Sequence, residues 1–460
     1  MTIRKSKIIH FLFKPLIIIS LALMLGLSIY SLAFTNHIKT PWDDANFRTS
    51  SITEAKTITK LKAFVRVSTP NPRRPIAGRT RGYHQVLVFG IKFLDFKNTE
   101  LSLQVVNFLL YLAQGIIIFL FARWATSDYL LAIAITFLYL SSPFVFGLSR
   151  WVLSENFVFV GLLTFSFMPA WLITKGQKFA RTNELVGGVN RKEIINAALV
   201  AYSMGILATV REYVIPSLLV MTFCTVFALI LARRKLAAIT FTAVLFPFLW
   251  AVSKPVYVAL KVTLRKGKQS EYFHSIGEWI PHAILYGFGI ALTILIATLL
   301  ILILSEIIKN IRSILPRQFS HLKDILKNPV TGLYILLAGH GFLLFLYSGI
   351  LFLSSNRVIR PGIPIMMSVL GFVLIGIRIL PSLKSLLLTD NFKAFILTLI
   401  LMSWVSLLYQ LFIAFDGGKT YAHHAFRLEY YNYPLHLRSL RNSQDTYICG
   451  TWGITCPYDK

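Results

Sequence analysis

The chain has 460 residues, 55% of them hydrophobic and 14% charged, and a formal charge of +28. Its mean hydropathy is +0.65. A string of soluble domains is excluded: apolar runs near the roughly 20 residues that cross a bilayer recur from end to end, the pattern of one integral membrane bundle. Too little polar chain is left for a nucleic-acid-binding domain, and the lack of a P-loop or G-x-G-x-x-G fingerprint argues against nucleotide use.

Arg4, Lys5 and Lys7 precede the first apolar run, roughly 15–34. That run is too long for a signal-peptide core and has no small-residue cleavage site, so it reads as a retained anchor. Directly beyond it come two adjacent carboxylates, Asp43 and Asp44. One reading is a general base, with the second acid binding a metal or an acceptor; burial beside a bilayer tunes the pKa of such a base. The other is a pair that caps a helix or solvates a loop.

The loop of residues 35–100 carries twelve lysines and arginines, among them Lys39, Arg48, Arg73, Arg74, Arg79 and Arg81. Residues 53–67 mix lysine with apolar side chains at near-helical spacing, which predicts one amphipathic helix lying on the bilayer surface. Residues 83–94 are apolar enough to return to that surface. Within them His84 has two readings, positioning of a donor or acceptor and a purely structural role.

The further spans fall at roughly 101–122, 129–147, 156–173, 194–210, 213–232, 238–257, 283–305, 330–354, 361–380 and 394–415, eleven in all. With the N-terminus inside, every substantial inside loop is basic, as the positive-inside rule requires. Loop 35–100, although basic, then lies outside; long loops can translocate regardless of charge. The charge excess asks for an anionic partner such as phosphate.

Further sites lie beyond the first loop. Arg150 and Glu155 flank the outer turn between the third and fourth spans. Glu155 is either a second acid facing the cavity of Asp43 or an N-terminal helix charge with Ser154 as the cap. Arg211 and Glu212 divide the fifth and sixth spans, at a tight hairpin or an unwound point, and either pair with neighbouring helices or contact a phosphate or sugar. Arg357 and Arg360 either clamp a phosphate at the outer surface or anchor the helix end by snorkelling. Cys224 is a packed small hydrophobe. Cys449 and Cys456 lie close together in the tail and can pair if it faces an oxidising compartment.

The first span, the acid pair in a large first outer loop, Tyr83-His84-Gln85-Val86-Leu87-Val88-Phe89 leading to Leu101–Asn107, Ser142-Pro143, Arg150 to Glu155 and Ala208-Thr209-Val210-Arg211-Glu212 follow one another. This order resembles the polyprenol-phosphate-sugar-dependent membrane glycosyltransferases of the GT-C fold class, which include protein O-mannosyltransferases and bacterial aminoarabinose transferases. The resemblance is clearest over roughly 30–220; beyond that it rests on topology and on 357–364. It departs from many relatives in having Asp44 where they have Glu.

The resemblance implies an enzyme with inverting transfer of a hexosyl or pentosyl group from a polyprenyl-phosphate carrier to a glycan, lipid or protein acceptor. Asp43 would be the base, with Asp44 and Glu155 beside it. His84, Arg150, Arg211, Glu212, Arg357 and Arg360 would hold the donor phosphate and sugar. No cofactor is certain; a divalent cation, Mg or Mn, would sit at Asp43, Asp44 and Glu155. The expected architecture is an all-α polytopic GT-C-like membrane protein of the plasma (inner) membrane. Residues 1–415 would form the transmembrane domain, and residues 416–460 a short extracytoplasmic tail with a Cys449–Cys456 disulfide. Two alternatives from other classes are a lipid-linked glycan polymerase or ligase and a non-enzymatic flippase or transporter. The last would need charges along a path through the bilayer and often shows repeated halves.

Overall fold

The structure, a computed structural model, describes residues 2–32, 42–69, 82–142, 145–146, 149, 154–183, 191–209, 211, 214–266, 289–314, 329–353 and 359–415. Among the described residues the elements are all helices. In chain order they are α1 Thr2–Leu32, α2 Trp42–Thr57, α3 Lys60–Ser68, α4 Gly82–Leu94, α5 Thr99–Thr126, α6 Tyr129–Leu140, α7 Glu155–Asn183 and α8 Arg191–Ala208. Then follow α9 Ile215–Leu231, α10 Lys235–Lys266, α11 Ile290–Ile314, α12 Pro329–Leu353, α13 Ile359–Ile379, α14 Pro381–Leu387 and α15 Asp390–Phe415.

A helix stands on each of the eleven predicted apolar stretches. Among the described residues six are long and apolar enough to cross a membrane: α5, α7, α10, α11, α12 and α15. Counting α13 and α14 as one bent span makes seven. The third predicted stretch, 129–147, holds the 12 residues of α6, about 18 Å long against a hydrocarbon core of about 30 Å, then a turn, with helical backbone again at 145–146. The end of α6 has a local cause. The Ser141 and Ser142 amides close onto the Phe137 and Tyr139 carbonyls at 2.8 and 3.2 Å, and the proline after Ser142 disfavours helix at the residue before it.

Pro381 acts in the same way at the end of α13. Leu380 is extended, and α14 leaves α13 at 101°. The predicted helix over 53–67 is likewise two helices, α2 and α3, broken at Ile58-Thr59. The Thr59 hydroxyl accepts from the Lys62 amide at 3.3 Å and caps α3. A threonine with a free turn before it competes as an N-cap with continuation of the helix.

Helix α7 is the axis of the bundle, touching α5, α8, α9, α12 and α13. From Glu155 to Ile173 every side chain but Met168 and Trp171 is buried, as expected for a helix apolar around most of its circumference. Hydroxyls inside the helices bond their own backbones: Thr126 to Ala122, Thr136 to Ala132, Ser166 to Leu162 and Thr242 to Ala238, all at 2.7–3.0 Å. In a dry surrounding this meets the demand of each hydroxyl without a partner helix. Small residues let the axes approach; Gly205 on α8 lies directly under the Phe248 ring of α10.

Candidate functional site

The predicted site begins on α2, where Asp43 and Asp44 are the second and third residues. Acids in a first helical turn interact favourably with the helix dipole, so the backbone placement suits the capping reading as well as the catalytic one. Their side chains lie outside the described residues. Helix α2 packs on α4 and on α5.

His84, buried on α4, receives two contacts from α2. Its Nδ1 is 3.0 Å from Ser51 Oγ, and its Nε2 is 2.5 Å from Glu54 Oε2. The other Glu54 oxygen pairs with Arg66 of α3. One imidazole thus ties α2 to α4, and one carboxylate ties both to α3. Ser51 is fully buried, with 0% exposure. The serine–histidine–glutamate row thus links α2, α3 and α4. The outer edge of α3 and α4 is apolar: Leu61, Phe64, Val65 and Phe93 are exposed, and the Phe64, Phe89 and Phe93 rings follow one another at 6.3 and 5.0 Å. At the end of α4, Lys60 holds the Asp95 carboxyl below the usual carboxylate range by a hydrogen bond and by its charge.

Tyr83, the neighbour of His84, turns into the bundle. Its hydroxyl donates to Asn107 Oδ1 on α5 at 2.8 Å, and Asn156 Nδ2 of α7 donates to the same oxygen at 3.3 Å. Gln114 on α5 donates to the Asn156 carbonyl at 3.3 Å and accepts from the Tyr139 hydroxyl at 2.9 Å. All these residues are buried.

The row continues into the two ionisable positions predicted at membrane depth. Ser154 occupies the N-cap of α7, its carbonyl accepting from the Phe157 and Val158 amides at 3.0 and 2.9 Å. Its hydroxyl does not cap. It donates to Glu155 Oε2 at 3.1 Å and accepts from Arg211 Nε at 2.5 Å. Arg211 Nη2 stands 3.6 Å from Glu155 Oε1. The guanidinium is 1% exposed, and a charge this deep persists only with a partner. Arg211 lies between the end of α8 at Ala208 and the start of α9 at Ile215, so the corner separates two distinct helices. The Gly82 amide donates to the Thr209 carbonyl at 3.1 Å, pinning the start of α4 against this corner.

Three predicted site residues therefore belong to one connected region. Glu155 and Arg211 pair directly, and His84 joins them through Tyr83, Asn107 and Asn156. Arg150, Glu212 and Arg357 lie outside the described residues, as do Cys449 and Cys456. Arg360 is on α13 with its side chain outside them. Among the described residues no group of three or more His, Cys, Asp or Glu side chains could hold a metal ion. The proposed set of Asp43, Asp44 and Glu155 includes two side chains beyond that description. Cys224 is buried and unbridged.

The residues not foreseen are Ser51, Glu54, Asn107, Gln114, Asn156 and the bridging role of Ser154. A signal existed for part of them: Gln104, Asn107, Tyr111 and Gln114 recur at intervals of three and four, one polar stripe along an otherwise apolar helix. All four are buried.

Comparison of the chain with protein-family models, with curated protein sequences and with solved structures yields no match.

Proposed function

We propose that the protein is an integral membrane glycosyltransferase that moves a sugar from a polyprenyl-phosphate carrier to an acceptor on the outer face of the membrane. The observation that supports this reading is the buried Glu155–Arg211 pair, whose chain neighbour Asn156 shares the Asn107 carboxamide oxygen with Tyr83 on the helix carrying His84, itself bonded through Ser51 and Glu54 to α2, whose first turn bears Asp43 and Asp44. In this reading acid, base-orienting and cationic groups gather at one end of the bundle, where a transfer reaction needs them.

In this reading α1, α6, α8 and α9 also cross the bilayer, giving eleven spans with the N-terminus cytoplasmic and the tail outside. The exposed apolar edge of α3 and α4 rests in the outer leaflet. Asp43 takes the proton of the acceptor hydroxyl. The oxygen attacks the anomeric carbon from the face opposite the phosphate, and the bond from that carbon to the phosphate oxygen breaks with its electron pair. Arg150, Arg357 and Arg360 neutralise the departing phosphate, so it needs little protonation. Arg211, enclosed by Ser154 and Glu155, orients the acid rather than meeting the phosphate itself. Asp44 and Glu155 bind the acceptor or, with Asp43, a divalent cation.

The test is Asp43→Asn in membranes supplied with polyprenyl-phosphate sugars, together with glycan analysis of a strain lacking the protein. Loss of a general base costs about 10²–10⁴ in rate. Transfer by the variant within a few-fold of the parent removes Asp43 from the mechanism.

A further inference from the structure

At the opposite end of the bundle from Arg211, two basic side chains meet on one hydroxyl. Arg378 Nη1, at the end of α13, and Lys384 Nζ, on α14, donate to Ser127 Oγ at 3.3 and 2.8 Å. A third cation, Arg123, lies one turn before Ser127 and stacks on Tyr129 at 3.7 Å, while Arg378 lies over Trp124 at 5.5 Å. Among the described residues none of these three cations forms an ion pair with a carboxylate. The nearest acid in sequence, Asp128, uses Oδ1 to accept from the Leu131 amide at 2.8 Å as the cap of α6.

Ser127 itself is unusual. It follows the last residue of α5 with φ of 63°, the left-handed position that glycine fills most easily at a helix end. Serine pays a conformational penalty there and supplies the hydroxyl that both cations meet. Three cations gather here beside the carboxylate of Asp128, which is engaged as a helix cap, so among the described residues the corner keeps a net positive charge.

We propose that the corner formed by Arg123, Ser127, Arg378 and Lys384 binds the phosphate of an anionic phospholipid headgroup. The lipid is favoured over a soluble anion by what surrounds the corner. It lies at the ends of the apolar helices α5 and α13, next to Trp124 and Tyr129, the aromatic types that sit at headgroup level. Helix α14 runs across the end of α13 with Leu386 exposed and Leu383 and Leu387 buried, the posture of a helix lying in the interface. By loop charge both segments belong to the cytoplasmic side, where anionic lipid attracts basic clusters. This inference is independent of the transfer reaction.

The test is lipid titration of the purified full-length protein, read by native mass spectrometry, with phosphatidylglycerol and phosphatidylcholine of matched chains. Phosphatidylglycerol is expected to bind more tightly. Arg378→Ala and Lys384→Ala should each weaken it by about fivefold, the attraction of one basic side chain to an anionic headgroup, and Lys384→Arg should retain it. The paired variant Lys192→Ala with Lys235→Ala removes equal charge from exposed positions on the same predicted side and should leave binding at the parent level. An equal loss in that pair, or no loss when Arg378 and Lys384 are both replaced, overturns the site. Displacement of the lipid by millimolar inorganic phosphate overturns the lipid assignment.

Discussion

Tyr83 on α4 donates its hydroxyl hydrogen to the carboxamide oxygen of Asn107 on α5 at 2.8 Å, and with it the helices of the first loop are fastened to the membrane bundle. Tyr83→Phe keeps the ring and removes only the donor, while Asn107 still accepts from Asn156. The expected cost is about 1 kcal/mol, the net worth of one such bond. Asn107→Leu removes both bonds at once and should cost about 1–3 kcal/mol, twice the net worth of one. Thermal unfolding in one detergent compares the two; equal midpoints would deny the bond its fastening role.

The Glu155–Arg211 pair gives a sharper contrast. Arg211→Leu leaves a buried carboxylate uncompensated and should destabilise by about 3–5 kcal/mol. Replacing Glu155 by Leu as well removes that charge and should restore part of the loss, since a buried pair replaced by apolar groups is often neutral. A double variant as unstable as the sum of the single ones would show that the two side chains are not coupled.

Gly82 tests the junction of α4 with the α8–α9 corner. A Cβ there would fall 2.5 Å from the Thr209 carbonyl oxygen and 2.7 Å from its carbon. Backbone cannot swing aside as a side chain can, so Gly82→Ala should cost about 1–3 kcal/mol through overpacking. Gly26→Ala is the control: a Cβ on α1 meets nothing within 4 Å, and alanine favours helix by about 1 kcal/mol. Similar midpoints for the two variants would mean that the junction yields.

His340 on α12 is 1% exposed and lies against Gly371 of α13. Neither ring nitrogen meets a hydrogen-bond partner among the described residues. A polar group buried in this way destabilises relative to an apolar one of like size. His340→Leu should therefore match or exceed the parent in thermal midpoint. A clear drop would assign those nitrogens a bonded role.

The helices were legible because each apolar stretch is long and uninterrupted, a signal that does not depend on partners. Their ends were less so. The predicted span at 129–147 overran Leu140 because apolar Phe144, Val145 and Phe146 continue past the serines that turn the chain. The helix predicted over 53–67 hid the break at Thr59 because lysine and leucine spacing runs through it. Within the site, Glu155, Arg211 and His84 stood out as ionisable or polar groups in apolar surroundings, where a partner is required. The identity of those partners was not legible. Ser51 and Glu54 are 33 and 30 residues from His84, and such pairings are decided by how α2 folds back on α4. The contacts Gly82–Thr209, Glu193–Arg234 and Ser127–Lys384 each join positions that loop charge puts on the same side.

The sharp turn into α14 carries the chain sideways before α15 begins, and α15 then packs against α1. Trp404 donates to Ser20 at 2.9 Å across 384 residues. Helix α1 therefore leaves the ribosome long before α15 and waits for it before one of its flanks is covered, a distant contact that forms slowly. A chain truncated before Asp390 would keep its other helices and lack the seam, a partner for insertion chaperones rather than a finished protein.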